Sequence, residues 1–378
     1  MNRKTLHIVA FDVPYPANYG GVIDVYHKIR CLKNEGIDVL LHCFEYGRGE
    51  QNALLEVAKE VYYYQRPTGF LYQFSWLPFI VKTRISKDLM QRLKEDDHPI
   101  LMEGLHTTGI LLNPEFKDRM TVYRESNIEH TYYLGLAKSE KHFLKKCYFM
   151  LESIRLKYYE KIISRAKIML IVSEWETDYF NRKYPQNEVY YLPSFHEYDE
   201  INAHEFKVDS EKFVLFHGNL SVKENEMALH YFLDHGVMDL PFRFVVAGLN
   251  PSIELKEKIT RFKHVELISN PSSQMMDTLV REAHVHLLYT HQATGLKLKL
   301  LNVAFAGKFI LANESMLVGT GQINQLVTVA NAADDFKQHL QELMAQEFTV
   351  QNFQIKKEVL TVFENKGKTK KLIQLIFG

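Results

Sequence analysis

Short apolar runs alternate with segments whose apolar residues recur every three or four positions, and the alternation spans most of the chain. Leu6 to Phe11 has the length of a strand. Val22, Val25, Ile29 and Leu32 then recur at helical spacing, Gly36 stops that helix, and Val39 to Phe44 is the next strand. This is one complete βαβ unit with Gly20 and Gly21 at its turn. Further strands are expected around Ile100 and Thr121, at Ile168 to Val172, and at Val189 to Leu192. Ser173, with Glu176 three residues on, caps a helix between the last two.

Residues 194–210 are polar, acidic and nonperiodic, the composition of a linker. A second series begins at Lys212, with strands at Phe213 to Phe216, Phe244 to Ala247, Val265 to Ile268, Val285 to Leu288 and Phe309 to Ala312. Strand–helix alternation predicts an α/β class, and two such series predict two Rossmann-like domains, 1–195 and 196–350. A long helix from Lys138 to Lys167 carries a narrow apolar stripe at Phe143, Cys147, Met150, Ile154, Tyr158 and Ile162. We expect that stripe in the core, with contact to an anionic membrane surface as the lesser alternative, because Lys and Arg outnumber Glu there. The aromatics of residues 69–80 are expected in the core, although they could also line an acceptor groove.

Composition narrows the function. Lys plus Arg equals Asp plus Glu at 46 each, so no bulk charge recruits nucleic acid. Three scattered cysteines give neither a disulfide framework nor a zinc spacing. The N-terminus enters a strand directly, and no apolar run approaches the roughly 20 residues that span a bilayer. A cytoplasmic protein, in peripheral contact with the membrane at most, is expected.

The densest chemistry lies in residues 289–308, which read strand, turn, helix, Gly, strand. Gly295 lets backbone approach a ligand. The helix start carries Lys297 and Lys299 and no acid, which the helix dipole disfavours unless an anion sits there. A phosphate-bearing ligand follows. A second polar set, Arg124, Glu125, Asn127, Glu129 and His130, follows the strand at Thr121, and His106 lies in the loop beyond the strand at Ile100.

The run Gly295-x-Lys297-x-Lys299-Leu-Leu, followed by a helix ending Ala-Gly-Lys308, resembles the nucleotide-sugar site of family 4 retaining glycosyltransferases. The resemblance implies the GT-B architecture, two Rossmann-like domains facing across a cleft, with C-terminal helices (351–378) returning to the first domain. It implies a nucleoside diphosphate sugar donor, a glycan or lipid-linked acceptor hydroxyl, and a role in polysaccharide synthesis. It assigns His106 to the donor sugar, Lys223 and Lys299 to the diphosphate, and Gly20, Gly21, Gly218, Asn219, Thr294, Gly295, Lys297 and Asn302 to donor contacts. Thr294 and Asn302 stand where the family has glutamates, and the arginine usual after Gly218 is absent. No Asp-x-Asp motif is present, so neither a metal nor another cofactor is expected. Two other readings remain open. One is a binding or scaffold protein without turnover; the other is a sugar-nucleotide epimerase or hydrolase using Glu103, Glu125 or Glu129.

Overall fold

The apolar runs pair in parallel, in two separate sheets. A computed structural model describes residues 3–199, 201, 211–291 and 297–378. The chain divides into two compact units, Met1–Glu197 with Asn365–Gly378, and Tyr198–Glu364.

In the first unit the strands are β1 (Thr5–Ala10), β2 (Asp38–Glu45), β3 (Glu60–Gln65), β4 (Ile100–Glu103), β5 (Thr121–Arg124), β6 (Ile168–Ile171) and β7 (Glu188–Tyr191). Their order is β3-β2-β1-β4-β5-β6-β7, so the winding direction reverses between β1 and β4. Around them lie α1 (Gly20–Asn34), α2 (Phe79–Lys82), α3 (Lys87–Leu93), α4 (Glu129–Ser139), α5 (Phe143–Tyr159) and α6 (Glu174–Lys183). Alternate residues of each strand serve opposite faces, as the pleat requires. Leu6, Ile8 and Ala10 enter one apolar cluster, while Val9 enters the other. That double coverage is why these strands read as continuous apolar runs.

The second unit repeats the plan. Its strands β8 (Val214–Asn219), β9 (Phe244–Leu249), β10 (Val265–Ser269), β11 (Val285–Leu288), β12 (Phe309–Ala312) and β13 (Val327–Val329) run in the order β10-β9-β8-β11-β12-β13. Here the reversal falls between β8 and β11. The helices are α7 (Lys223–Asp234), α8 (Ile253–Ile259), α9 (Ser273–Glu282), α10 (Leu298–Ala306), α11 (Ala333–Ala345) and α12 (Val350–Leu360). Gly248 lets β9 lie against β8, since a Cβ there would fall 2.1 Å from the Gly218 carbonyl.

The tail divides. Residues 351–364, including most of α12, stay with the second unit, and only α13 (Asn365–Phe377) joins the first. Leu372 and Ile376 of α13 enter the cluster that contains Val25 and Ile29 of α1.

Two expectations about the core fail. The helix read as 138–167 is broken into α4, α5 and a 3-10 turn at Glu160–Arg165, and most of its apolar stripe faces solvent, with Cys147 half-buried and Ile162 reaching the core. Phe143 is 75% exposed and Tyr158 71%. The opposite face, with Glu152, Ser153 and Leu156, is buried. Polar contacts hold it there. Glu152 accepts from the Phe79 backbone N–H at 2.8 Å and from Arg155 at 2.7 Å, and Ser153 donates to the His130 carbonyl at 2.7 Å. Tyr72, Phe74 and Trp76, ahead of α2, are also outside, Trp76 being 99% exposed. Phe74, Trp76, Leu151, Ile154 and Tyr158 line an open groove of about 770 Å³.

Candidate functional site

In open parallel sheets ligands bind beyond the carboxyl ends of the strands, where the winding reverses. In the second unit that point lies between β8, which ends in His217, Gly218 and Asn219, and β11, which leads toward α10. Lys297 occupies the N-cap position of α10, no acid lies in the first turn, and no side chain of the described residues caps it. Its free N–H groups therefore point positive charge at this spot.

Lys299 lies one residue into the helix. Its ammonium donates to Asn225 Oδ1 at 3.0 Å and approaches the His217 carbonyl at 3.5 Å. Burial pulls its pKa down to about 8, with the Glu224 carboxylate opposing that shift and the neighbouring Lys297 adding to it. Burial likewise lowers Lys297. Neither lysine forms an ion pair among the described residues. Asn302, on the same helix, has a buried Oδ1 without a partner among the described residues. Burial drives His217 down to about 3, so its ring stays neutral beside Lys299.

The sequence missed the groups that fix this geometry. Asn225 joins α10 to the end of β8 by accepting from Lys299 and donating to the Asn219 carbonyl at 2.9 Å. Asn313 pins the second residue after β11, accepting from Thr290 N–H at 3.1 Å and donating to the Thr290 carbonyl at 2.8 Å. Thr290 also donates to Glu224. Lys223 faces solvent. It opens α7, is 78% exposed and pairs with Glu226 at 3.3 Å. Thr294 and Gly295 lie outside the described residues.

In the first unit Gly20 and Gly21 form the first turn of α1 itself, where no side chain caps the helix and no acid is present. A Cβ on Gly21 would fall 2.5 Å from the Phe11 ring. That ring lies 5.1 Å from His106, which follows β4. Gly104 (φ +70°) makes room for His106, whose Nδ1 would sit 2.8 Å from a Cβ there. Burial, and then Arg84 and Arg66, hold His106 well below the usual histidine range. Glu129 lies 3.9 Å from it, and burial pushes that carboxyl up to about 8.

Most of the other polar candidates are structural. Glu103 accepts from Lys28 at 2.6 Å, and Asp24 accepts from Lys28 and from Arg124 at 3.2 Å each, all buried. His130 pairs with Glu160 at 2.9 Å. Glu125 is fully buried with neither carboxylate oxygen partnered among the described residues, and burial raises its pKa well above the carboxylate range, with Glu176 adding to it. Of the three carboxylates considered for epimerase or hydrolase chemistry, only Glu129 lies beside His106. Among the described residues no group of three or more His, Cys, Asp or Glu is placed to hold a metal ion, and no helix is long and apolar enough to cross a membrane.

No protein-family model matches the chain. A curated relative from Klebsiella pneumoniae, described as an uncharacterized 44.6 kDa protein in the cps region, is 26% identical over 358 residues, covering 88% of this chain and 89% of that one. Among solved structures, sucrose-phosphate synthase from Thermosynechococcus elongatus superposes with a TM-score of 0.67 at 11% identity, over 99% of this chain and 98% of the other. The UDP-forming α,α-trehalose-phosphate synthase of Burkholderia xenovorans, in complex with glucose-6-phosphate, gives 0.62 at 10% identity over 99% and 100%. The fold is GT-B. A third GT-B structure, Phytolacca americana UGT2 with UDP-2-fluoro-glucose and pterostilbene, gives 0.61 at 13% identity over 99% and 98%.

Proposed function

We propose that this chain is a retaining, metal-independent glycosyltransferase, similar to family 4, that moves a sugar from a nucleoside diphosphate to an acceptor hydroxyl in polysaccharide synthesis. The observation that carries the reading is the desolvated Lys299 ammonium at the acid-free start of α10, beside the β8/β11 switch point. With a pKa of about 8 it is still about nine-tenths protonated at pH 7. A fixed cation and a helix terminus stabilise the charge that develops on a departing nucleoside diphosphate, and they do so without reorganising. Lys297 supplies a second cation, and the open Oδ1 of Asn302 suits a ribose hydroxyl. The cps-region relative accords with polysaccharide synthesis, and the GT-B structures bound to glucose-6-phosphate or UDP-2-fluoro-glucose accord with a sugar donor and acceptor.

The purified chain, given a panel of nucleotide sugars and an acceptor extract in EDTA, should release nucleoside diphosphate. Lys299→Met should lower nucleoside diphosphate affinity at least about tenfold, the loss of one charge-assisted bond. Unchanged affinity in that variant would overturn the reading. Asn302 and Thr294 in place of two glutamates favour one second reading, a nucleotide-sugar binder without turnover. Tight binding with no release from any donor would select it.

A further inference from the structure

We propose that the loops beyond β1 to β5 hold a phosphoryl group between Arg66 and Arg84. On the glycosyltransferase reading, on which this last step rests, that group belongs to the acceptor.

Five adjacent strands deliver the parts. Phe11 follows β1, Tyr46 follows β2, Arg66 follows β3, His106 follows β4 and Glu129 opens α4 after β5. They surround the β1/β4 reversal, the first unit's own switch point. Arg84 is 4% exposed. Its Nε donates to the Phe11 carbonyl at 2.7 Å and its Nη1 to the Ile80 carbonyl at 2.8 Å. Its Nη2 has no partner among the described residues. Arg66 donates through Nε to Thr83 Oγ1 at 3.0 Å, and both of its Nη atoms are likewise without partners there. The two guanidinium groups share one ring, lying 4.4 Å (Arg66) and 5.6 Å (Arg84) from the centre of Tyr46.

A role for Arg84 as a strut between loops accounts for Nε and Nη1. It leaves Nη2 and both Arg66 Nη atoms unexplained. Two cations held together without a carboxylate partner are costly unless an anion joins them. The groups facing them do not fill that need. Asp12 supports the charge on Arg84 but pairs with neither guanidinium among the described residues, accepting instead from Val13 N–H at 2.8 Å and from the Tyr19 hydroxyl at 2.5 Å. Glu129, pushed up to about 8, is mostly neutral at pH 7, and His106 is neutral with its buried Nδ1 unpartnered among the described residues. The remaining contributor is the uncapped, acid-free start of α1, which Phe11 links to both His106 and Gly21. Planar forks with paired donors suit phosphoryl oxygens better than a lone ammonium would.

The phosphate could come from a soluble sugar phosphate or from a lipid phosphate. The full chain carrying Lys299→Met, so that the second unit's site is weakened, is titrated by calorimetry with a hexose 6-phosphate and with a short-chain prenyl monophosphate. One of the two should bind and thereby name the source. Arg66→Ala should weaken that binding about ten- to a hundredfold, while Arg66→Lys, which keeps the charge and loses the fork, should fall between. Arg66→Ala should leave nucleoside diphosphate binding to the otherwise native chain unchanged, so a failure here is distinct from a failure of the donor site. Binding of neither probe, or equal binding by a folded Arg66→Ala chain, overturns the proposal.

Discussion

Lys299→Met should make the protein more stable while costing it nucleotide affinity. In the folded chain the ammonium titrates at about 8, against an ordinary value of 10.5, because burial strips its water. Each pH unit of that gap is about 1.4 kcal/mol, so the charged side chain strains the fold by at most about 3.5 kcal/mol below pH 8. A methionine removes the charge and keeps a flexible apolar chain near the Phe216 ring, from which the Lys299 nitrogen lies 5.8 Å. Against this, Asn225 Oδ1 loses its donor, which costs about 1 kcal/mol, less where water replaces it. The expected net gain is about 1–2 kcal/mol, or roughly 2–8 °C for a unit of this size. The pH dependence has a definite sign. Because the folded pKa lies below the unfolded one, the strain is full below pH 8, shrinks between 8 and 10.5, and is gone above that. Calorimetry of wild type and variant at pH 7 and pH 10 reads both quantities. A lower melting temperature for the variant at pH 7, or a gain that persists unchanged at pH 10, would refute the argument.

Nucleoside diphosphate affinity should be flat below pH 8 and fall toward tenfold per pH unit above it, because the bound anion requires Lys299 protonated; Lys299→Arg should flatten that profile, and a profile that stays sloped in the variant assigns the titration elsewhere. Asn302→Glu should tighten nucleotide binding, measured by calorimetry, since a carboxylate accepts ribose hydroxyls through charge-assisted bonds about twice as strong; equal or weaker binding means the ribose lies elsewhere. The exposed face of α5 carries Phe143, Leu144, Leu151 and Ile154 alongside Lys145, Lys146 and Lys157, so the chain should sediment with vesicles containing anionic phosphatidylglycerol and much less with neutral ones. Phe143→Asp with Leu144→Asp should abolish that sedimentation, and retained binding would exclude this face.

Period and punctuation made the two sheets legible in the sequence, because buried parallel strands are nearly uniform in their apolarity. The α10 start was legible for the same local reason, since two lysines where the dipole prefers acids can be seen without a structure. The supporting cage was not. Asn225 meets Lys299 across 74 positions and Arg84 meets Phe11 across 73, and no local pattern encodes such pairings. The α5 stripe misled because periodicity reports amphipathicity without saying which face is inward; here Glu152 and Ser153 decide it through hydrogen bonds to distant backbone. Glu103 and Arg124 looked available for chemistry in sequence, but β4 and β5 carry them into a buried ionic cluster with Lys28 and Asp24.

The return of α13 also sets a timetable. Lys368 donates to the Ser194 carbonyl at 2.6 Å, Asn365 to the His196 carbonyl at 2.8 Å and Lys371 to the Tyr191 carbonyl at 2.9 Å, while Leu372 is fully buried. On the ribosome, residues 3–197 emerge with that seat on α1 empty. They must wait while the whole of Tyr198–Glu364 is translated, roughly ten to thirty seconds at ordinary elongation rates. The unit that begins the chain is thus the last to be completed, and for that interval its open apolar seam is what a chaperone, or a neighbouring nascent chain, would meet.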